Sequence, residues 1–335
     1  MKALQITAEH TIEICEVAQP VLKSNQALVK VSAVALNRRD QWIREGMYPN
    51  IQFGTTLGSD ACGEVVEAND ASNKSWIGKK VVINPNVNWG DDPAAQSADY
   101  SVLGMPVAGA FAEYIVVDVD RLVEKPKHLS DEQAAALPLG GLTAYRAIMN
   151  HGQLKSSDTV LISGFGGGVA QFAFQFAVAK GAKVYVTSGS QEKIDQAIEM
   201  GAMGGFNYKE ENWAKEAFKI PGVFDIVIDS AGGDQINTFI KIMKPAGRIV
   251  FYGATNGMPA KLDMFRMFWN QITLQGSTMG NDIEFVKMIK FVDDKKLVPI
   301  VDSVRPFGEI VDAFDQMKVG NRVGKLVATF NNILL

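Results

Sequence analysis

Between residues 159 and 180 the chain reads "TVLISGFGGGVAQFAFQFAVAK": an apolar run, four glycines within positions 164 to 168, and then a longer apolar stretch of helical character. The order strand, glycine turn, helix predicts a βα unit. At its turn the backbone is bare, so a ligand can approach the unpaired N–H groups of the helix start, where the helix dipole favours an anion.

The alternation continues downstream. "AKVYVTS" precedes "QEKIDQAIEMG", "GGFNY" precedes "NWAKEAFKI", "FDIVIDS" precedes "GDQINTFIKIMKP", and "GRIVFYG" and "QITLQGS" close the series. Six apolar runs separated by helical segments predict an α/β fold with a doubly wound parallel sheet, the Rossmann arrangement. Upstream the pattern differs. "ALVKVSAVAL", "GEVVEA", "KKVVINP" and "FAEYIVVD" are short β-patterned runs between Gly, Pro and Asn turns, and β-patterned runs return near the C-terminus. The predicted organisation is a discontinuous, strand-rich domain of residues 1–123 and 271–335 around a Rossmann domain of residues 124–270. A chain of 335 residues has room for two such cores.

Read as G-x-x-G-x-x-A, the glycine run assigns the tight turn to Gly164, close approach of a dinucleotide pyrophosphate to Gly167, and close helix packing to Ala170, with Gly168 and Val169 beside them. The alternative is a flexible turn with no ligand. At the end of the next strand, about 20 residues on, a carboxylate would hold the adenine ribose of NAD. This chain has Thr187, Ser188, Gly189 and Ser190 there. Ser188 and Ser190 leave room for a 2′-phosphate and Lys193 can neutralise it, so NADP (NADPH) is the expected cofactor. Helix capping by the serines and a solvated Lys193 are the plainer alternatives.

Other partners are excluded by charge and composition. Net charge is −4 from 33 basic and 37 acidic residues, with no basic block, so nucleic acid and anionic membrane surfaces are not expected partners. No stretch reaches the ~18 uninterrupted apolar residues of a membrane span, and the N-terminal "MKALQITAEHTIEI" lacks the apolar core of a signal peptide; a cytosolic setting is expected. Cys15 and Cys62 are the two cysteines, and the three histidines lie far apart. Neither a disulfide framework nor a cysteine zinc cluster follows.

The whole chain, in order, resembles the medium-chain dehydrogenase/reductase superfamily, within it the zinc-free quinone oxidoreductases related to zeta-crystallin. The likeness rests on "ALNRRDQWIREGMYP", "LGSDACGEVVEA", "AGAFAEYIVV", "AAALPLGGLTAYRAI", the glycine run, "GFNYKEE" and "RVGKLVATF". It implies a GroES-like catalytic domain beside the Rossmann domain, a small-molecule substrate, and a homodimer formed by edge pairing of the strand around "QITLQGS". Zinc-bearing members carry Cys where this chain has Asn37, Gly-His-Glu where it has Gly58-Ser59-Asp60, and a third ligand near Leu139. Asp60 alone cannot supply about three ligands from Cys, His or carboxylate, so no metal is expected. Residues 84–107 occupy the place of a four-cysteine lobe in those relatives but contain no cysteine, which also departs from the shorter quinone oxidoreductases.

The resemblance further implies Asn37, Asp40, Tyr48 and Thr143 as catalytic residues and Trp42 in the substrate pocket. Asn37 would orient substrate or water, and Tyr48 could give a proton. For Asn37 and Asp40, cap chemistry at a helix start fits equally; so does aromatic packing for Tyr48 and Trp42, and a cap for Thr143. Tyr208 would lie beside the 2′-phosphate, and Ser230, Gly253 and Lys325 would touch the cofactor. Without a Lewis acid, alcohol oxidation is hard, whereas hydride addition to an enone or quinone spreads its charge onto an oxygen that hydrogen bonds can hold. The expected activity is NADPH-dependent reduction of a quinone or α,β-unsaturated carbonyl. A zinc-independent alcohol dehydrogenase and a low-turnover NADPH-binding protein are the alternatives.

Overall fold

The structure is a computed structural model that describes residues 1–220 and 223–330. It divides into two compact units, Met1–Leu142 with Asn281–Leu335, and Thr143–Gly280. The unit borders lie at 142/143 and 280/281, against the expected 123/124 and 270/271. The first shift has a local cause: past residue 123 the chain stays bound to the first unit, with Lys125 N–H donating to the Lys80 carbonyl at 2.9 Å and Lys80 Nζ meeting Asp131 at 3.0 Å. The second has another. Strand Thr273–Gly276 pairs in parallel with Met243–Phe251 and so belongs to the second unit's sheet.

Elements of the Thr143–Gly280 unit are labelled in chain order: β1 Thr159–Ile162, α1 Gly168–Lys180, β2 Lys183–Ser188, α2 Gln191–Glu199, β3 Gly204–Asn207, α3 Trp213–Ala217, β4 Phe224–Asp229, α4 Gln235–Ile242, β5 Met243–Phe251, α5 Met264–Trp269 and β6 Thr273–Gly276. Among the described residues the sheet runs β3-β2-β1-β4-β5-β6 with every pairing parallel. This is the order of a full dinucleotide-binding sheet, and its direction of winding reverses between β1 and β4, where ligands of such sheets bind beyond the strand ends. All four β1 residues are buried, because a central parallel strand is covered on both faces. Leu161, Phe224, Val227, Phe239, Ile240 and Ile249 form the centre of one core. Helix α1 buries Phe172, Phe174 and Phe176 and stops at Gly181, whose φ of +87° is a left-handed C-cap.

Among the described residues the other unit is built on a seven-stranded sheet. Strands Val301–Pro306, Lys325–Thr329, Gln26–Ala35, Asp60–Ala68, Lys80–Ile83 and Leu122–Glu124 follow one another, and Tyr114–Asp118 also pairs with Gln26–Ala35. The long strand Gln26–Ala35 is the centre of this sheet and its side chains are almost all buried. Residues 84–107 form a cysteine-free lobe. It is closed by the pairing of Asn86–Val87 with Ser101–Val102 and by buried Trp89, whose ring meets Tyr100 edge-on at 5.2 Å and whose Nε1 donates to the Asp92 carbonyl at 3.0 Å. No helix among the described residues is long and apolar enough to cross a membrane.

Candidate functional site

In the Thr143–Gly280 unit, the loop between β1 and α1 is a backbone structure. Gly164 adopts φ +66° and a Cβ there would meet nothing within 4 Å, so its conformation rather than crowding demands glycine. Gly164 N–H donates to Thr187 Oγ1 at 3.2 Å and Phe165 N–H to the Thr187 carbonyl at 2.8 Å, which ties the loop to the end of β2. Gly167 is the N-cap of α1 and makes no side-chain cap. The first-turn amides of Gly168, Val169 and Ala170 therefore have neither an intrahelical acceptor nor a cap from Gly167, the arrangement that favours an anionic group. A dinucleotide pyrophosphate fits this cradle.

The end of β2 gathers the other predicted residues of this unit. Ser188 is buried, its Oγ within 3.5 Å of the Phe165 carbonyl and 3.4 Å of Ser190 N. Ser190 is the N-cap of α2, and Lys193, half-buried, lies in that helix's first turn. Tyr208 N–H donates to the Ser188 carbonyl at 3.1 Å, and its hydroxyl lies where a Cβ on Gly189 would collide at 2.7 Å. The phenol of Tyr208 is 44% exposed beside the two serines. Across the winding reversal, Gly253 approaches Ser230 so closely that a Cβ would stand 2.8 Å from the Ser230 carbonyl. Thr143, buried, donates its hydroxyl to Met279 Sδ at 3.6 Å. Two further residues were not expected here. Ser163 donates to the Asp229 carboxylate in a very short bond, and Asp229 accepts from Gly232 N–H at 2.7 Å, so β1, β4 and the loop after β4 are tied by one buried acid.

The other unit holds a side-chain cluster. Asp60, fully buried at the start of its strand, accepts from Leu139 N–H at 2.8 Å on one oxygen, and from Asn37 Nδ2 and Lys325 Nζ, each at 2.9 Å, on the other. Leu139 is the second residue of helix Pro138–Tyr145, so the carboxylate also caps a helix N-terminus, where negative charge is favoured. Asn37 Nδ2 donates to Ser59 Oγ at 3.1 Å as well, and Asn37 Oδ1 accepts from Lys325 Nζ in a short bond. Both amide protons and the amide oxygen of Asn37 are thus engaged. Lys325, expected at the cofactor, directs a 2% exposed ammonium to Asp60 and Asn37.

Asp40, expected among the reacting groups, is fully buried and accepts from Asn37 N–H at 2.8 Å at the start of helix Arg38–Arg44. Its other oxygen is buried and accepts no hydrogen bond, with Arg39 Nη1 3.8 Å away. Burial pushes its carboxyl up to about 6 against the opposing pull of Arg39. This geometry gives Asp40 a capping task at the helix start. Tyr48 is half-buried; its hydroxyl accepts from Arg39 Nη2 at 3.2 Å and its ring lies 4.8 Å beneath that guanidinium. Trp42, half-buried, is on the same helix as Asp40.

Two family models match: one described as zinc-binding dehydrogenase over residues 168–294, and one described as alcohol dehydrogenase GroES-like domain over residues 23–127. The zinc-type alcohol dehydrogenase-like protein YogA of Leptosphaeria maculans is 34% identical across 95% of this chain and 94% of its own. The 2-methylene-furan-3-one reductase of Solanum lycopersicum is 30% identical across 98% of this chain and 78% of its own. A solved structure of an NAD-dependent alcohol dehydrogenase superposes with a TM-score of 0.92 at 30% identity, covering 99% of this chain and 100% of that one.

Zinc, which those descriptions imply, does not fit the donors of the buried cluster. Zinc takes thiolate, imidazole or carboxylate; here the three expected ligand positions hold an amide, a hydroxyl and a leucine, and of the two carboxylates beside them Asp60 is paired with an ammonium and Asp40 accepts from Asn37 N–H at a helix start. Among the described residues no other group of three or more His, Cys, Asp or Glu could hold a metal.

Proposed function

The chain belongs to the medium-chain dehydrogenase/reductase superfamily of oxidoreductases, and we propose that it is a zinc-free, NADPH-dependent reductase of α,β-unsaturated carbonyls or quinones. The observation that carries this reading is the buried Asp60–Lys325–Asn37 cluster at the position where zinc relatives hold their metal. Such a cluster leaves alcohol oxidation without a Lewis acid for the developing alkoxide. Addition of hydride to an activated C=C asks less, because the charge moves onto an oxygen within reach of hydrogen-bond donors. The name of the tomato relative, a 2-methylene-furan-3-one reductase, points to the same substrate class.

Bound nicotinamide supplies the hydride; the protein supplies placement and dryness. Gly164, Gly167, Gly168, Val169 and Ala170 would hold the pyrophosphate, and Ser230 and Gly253 would border the cofactor at the ends of β4 and β5. Ser188, Ser190, Lys193 and Tyr208 would take the 2′-phosphate. This preference rests on the absence of an acid at the end of β2, and it sets the chain apart from the NAD-dependent relative of the same fold. Thr143, Trp42 and Tyr48 remain proposed at the substrate.

We further propose a homodimer through β6, whose outer edge is unpaired among the described residues and which follows a helix with exposed Phe265, Phe268 and Trp269. A monomeric mass at micromolar concentration would contradict it. The activity is tested by following NADPH oxidation against benzoquinone, naphthoquinone, crotonaldehyde and saturated aldehydes, with NADH alongside. Turnover of quinones or crotonaldehyde with NADPH is expected. Turnover confined to saturated aldehydes, or a preference for NADH, would overturn the substrate or cofactor assignment, and no turnover with tight NADPH binding would favour a binding protein.

A further inference from the structure

Beyond the ends of β1, β4 and β5, two groups of loops are each stitched together by backbone. The loops after β4 and β5 are sewn to one another: Asn256 N–H donates to the Ala231 carbonyl at 2.7 Å, Gly233 N–H to the Gly257 carbonyl at 2.8 Å, and Thr255 Oγ1 to the Ser230 carbonyl at 2.9 Å. The glycine loop after β1 is sewn instead to β2, through the bonds of Gly164 and Phe165 to Thr187. Asp229 links the two groups. Its carboxylate, fully buried, accepts the Ser163 hydroxyl on Oδ1 and Gly232 N–H on Oδ2, the latter at 2.7 Å. Ser163 directly precedes the turn at Gly164, and Gly232, at φ +65°, belongs to the loop after β4. Burying a carboxylate is costly unless it is hydrogen-bonded, so an acid here is retained only while it holds both loops.

We propose that Asp229 is a positioning residue for the cofactor: with Ser163 it fixes the span between the pyrophosphate loop after β1 and the loops after β4 and β5, so that one dinucleotide meets both. The proposal rests on the reading that a nicotinamide dinucleotide occupies the crevice at the winding reversal, where sheets of this strand order bind such ligands. Each half of the sheet takes one mononucleotide half of the ligand. Binding is then bivalent. Once one half is seated, the effective concentration of the other depends on how well the distance between the two sites matches the ligand's span. A link that holds this distance raises affinity for the whole dinucleotide and leaves affinity for a single half unchanged. Asp229 acts through the loops and not by contact with the ligand, since each of its oxygens is engaged and its side chain is fully buried.

The test compares dissociation constants of the full chain for NADPH and for adenosine 2′,5′-bisphosphate, its adenosine half, in wild type, Ser163→Ala and Asp229→Asn. NADH and ADP are run in parallel, and the pair whose dinucleotide binds wild type more tightly is the one read. Ser163→Ala cuts the link. It is expected to weaken dinucleotide binding by about tenfold, part of the roughly hundredfold or more that joining two binding halves can contribute, with the adenosine half bound as in wild type. Asp229→Asn can still accept from Gly232 N–H and can donate its amide to the Ser163 hydroxyl, so it is expected to keep most of the dinucleotide affinity. A merely structural role would leave the ratio of the two constants the same in every variant, and that result would overturn the proposal. So would an Asp229→Asn loss as large as that of Ser163→Ala, because charge and not the link would then be responsible. Should Ser163→Ala not fold, Asp229→Ala severs the link from its other end and is read in the same way. Failure of the cofactor reading looks different: wild type then binds neither dinucleotide, and the proposal falls with it.

Discussion

The two units build their candidate sites from different materials. In the Thr143–Gly280 unit the cradle is made of peptide groups: a turn at Gly164, the uncapped amides of α1 and the close approach of Gly253 to Ser230. In the other unit the work is done by side chains, an ammonium, a carboxylate, an amide and a hydroxyl packed where water is excluded. A backbone site depends on the shape of a few residues and tolerates most changes nearby. A buried charged cluster is an all-or-none device, since each member is affordable only while the others are present.

That contrast is broken most severely at Lys325. Lys325→Met alone should lower unfolding free energy by about 3–5 kcal/mol, while Lys325→Met with Asp60→Asn should return to within about 1 kcal/mol of wild type, as buried pairs do when both charges go. Denaturant midpoints of the three proteins measure this, and a single variant as stable as the double would mean the pair is not buried as described.

Asp40 gives the next effect, about 2–3 kcal/mol from a shift of roughly two pK units. Its carboxyl is raised to about 6 by burial, so between about pH 4 and 6 the folded chain keeps a proton that the unfolded chain releases. Stability therefore falls as pH rises through that window and stays lower above it. Asp40→Asn should be more stable than wild type at pH 8 and no more stable at pH 4, read from thermal midpoints at the two values.

The backbone cradle responds more mildly. Ser190→Asp places an acid at the N-cap of α2, where Asp is a good cap, and should lower the NADPH-to-NADH preference by tenfold or more, about the effect of one charged hydrogen bond; an unchanged ratio of kcat/KM values would remove Ser190 from the ribose site. Gly164→Ala meets no steric obstacle, so it should cost only about 1–2 kcal/mol for a left-handed alanine, together with weaker NADPH binding.

Legibility followed the same division. The glycine loop and the six strands are visible in the amino-acid order because strand, turn and helix are contiguous, and Gly164 to Ala170 span a single turn and helix start. The cluster of the other unit joins residues 37, 59, 60, 139 and 325, whose meeting depends on the antiparallel pairing of Gln26–Ala35 with both Asp60–Ala68 and Lys325–Thr329. No local spacing announces it. Family likeness pointed to Asn37 and to Lys325 separately, but not to their bond, and Asp40 beside Asn37 carried the same helix-start signal for a cap as for a catalytic acid. The unit border near residue 142 was equally hidden, because "KPKHLSDEQAAALPLGG" shows no compositional break where its packing partner changes.

The account stands most directly on one measurement: zinc bound per chain after purification in zinc-supplemented medium, with the rate of NADPH-dependent crotonaldehyde reduction before and after dialysis against a chelator. An ammonium-filled cluster predicts no stoichiometric zinc and the same rate on both sides of the dialysis. One zinc per chain, with activity lost on its removal and restored on its return, would contradict it.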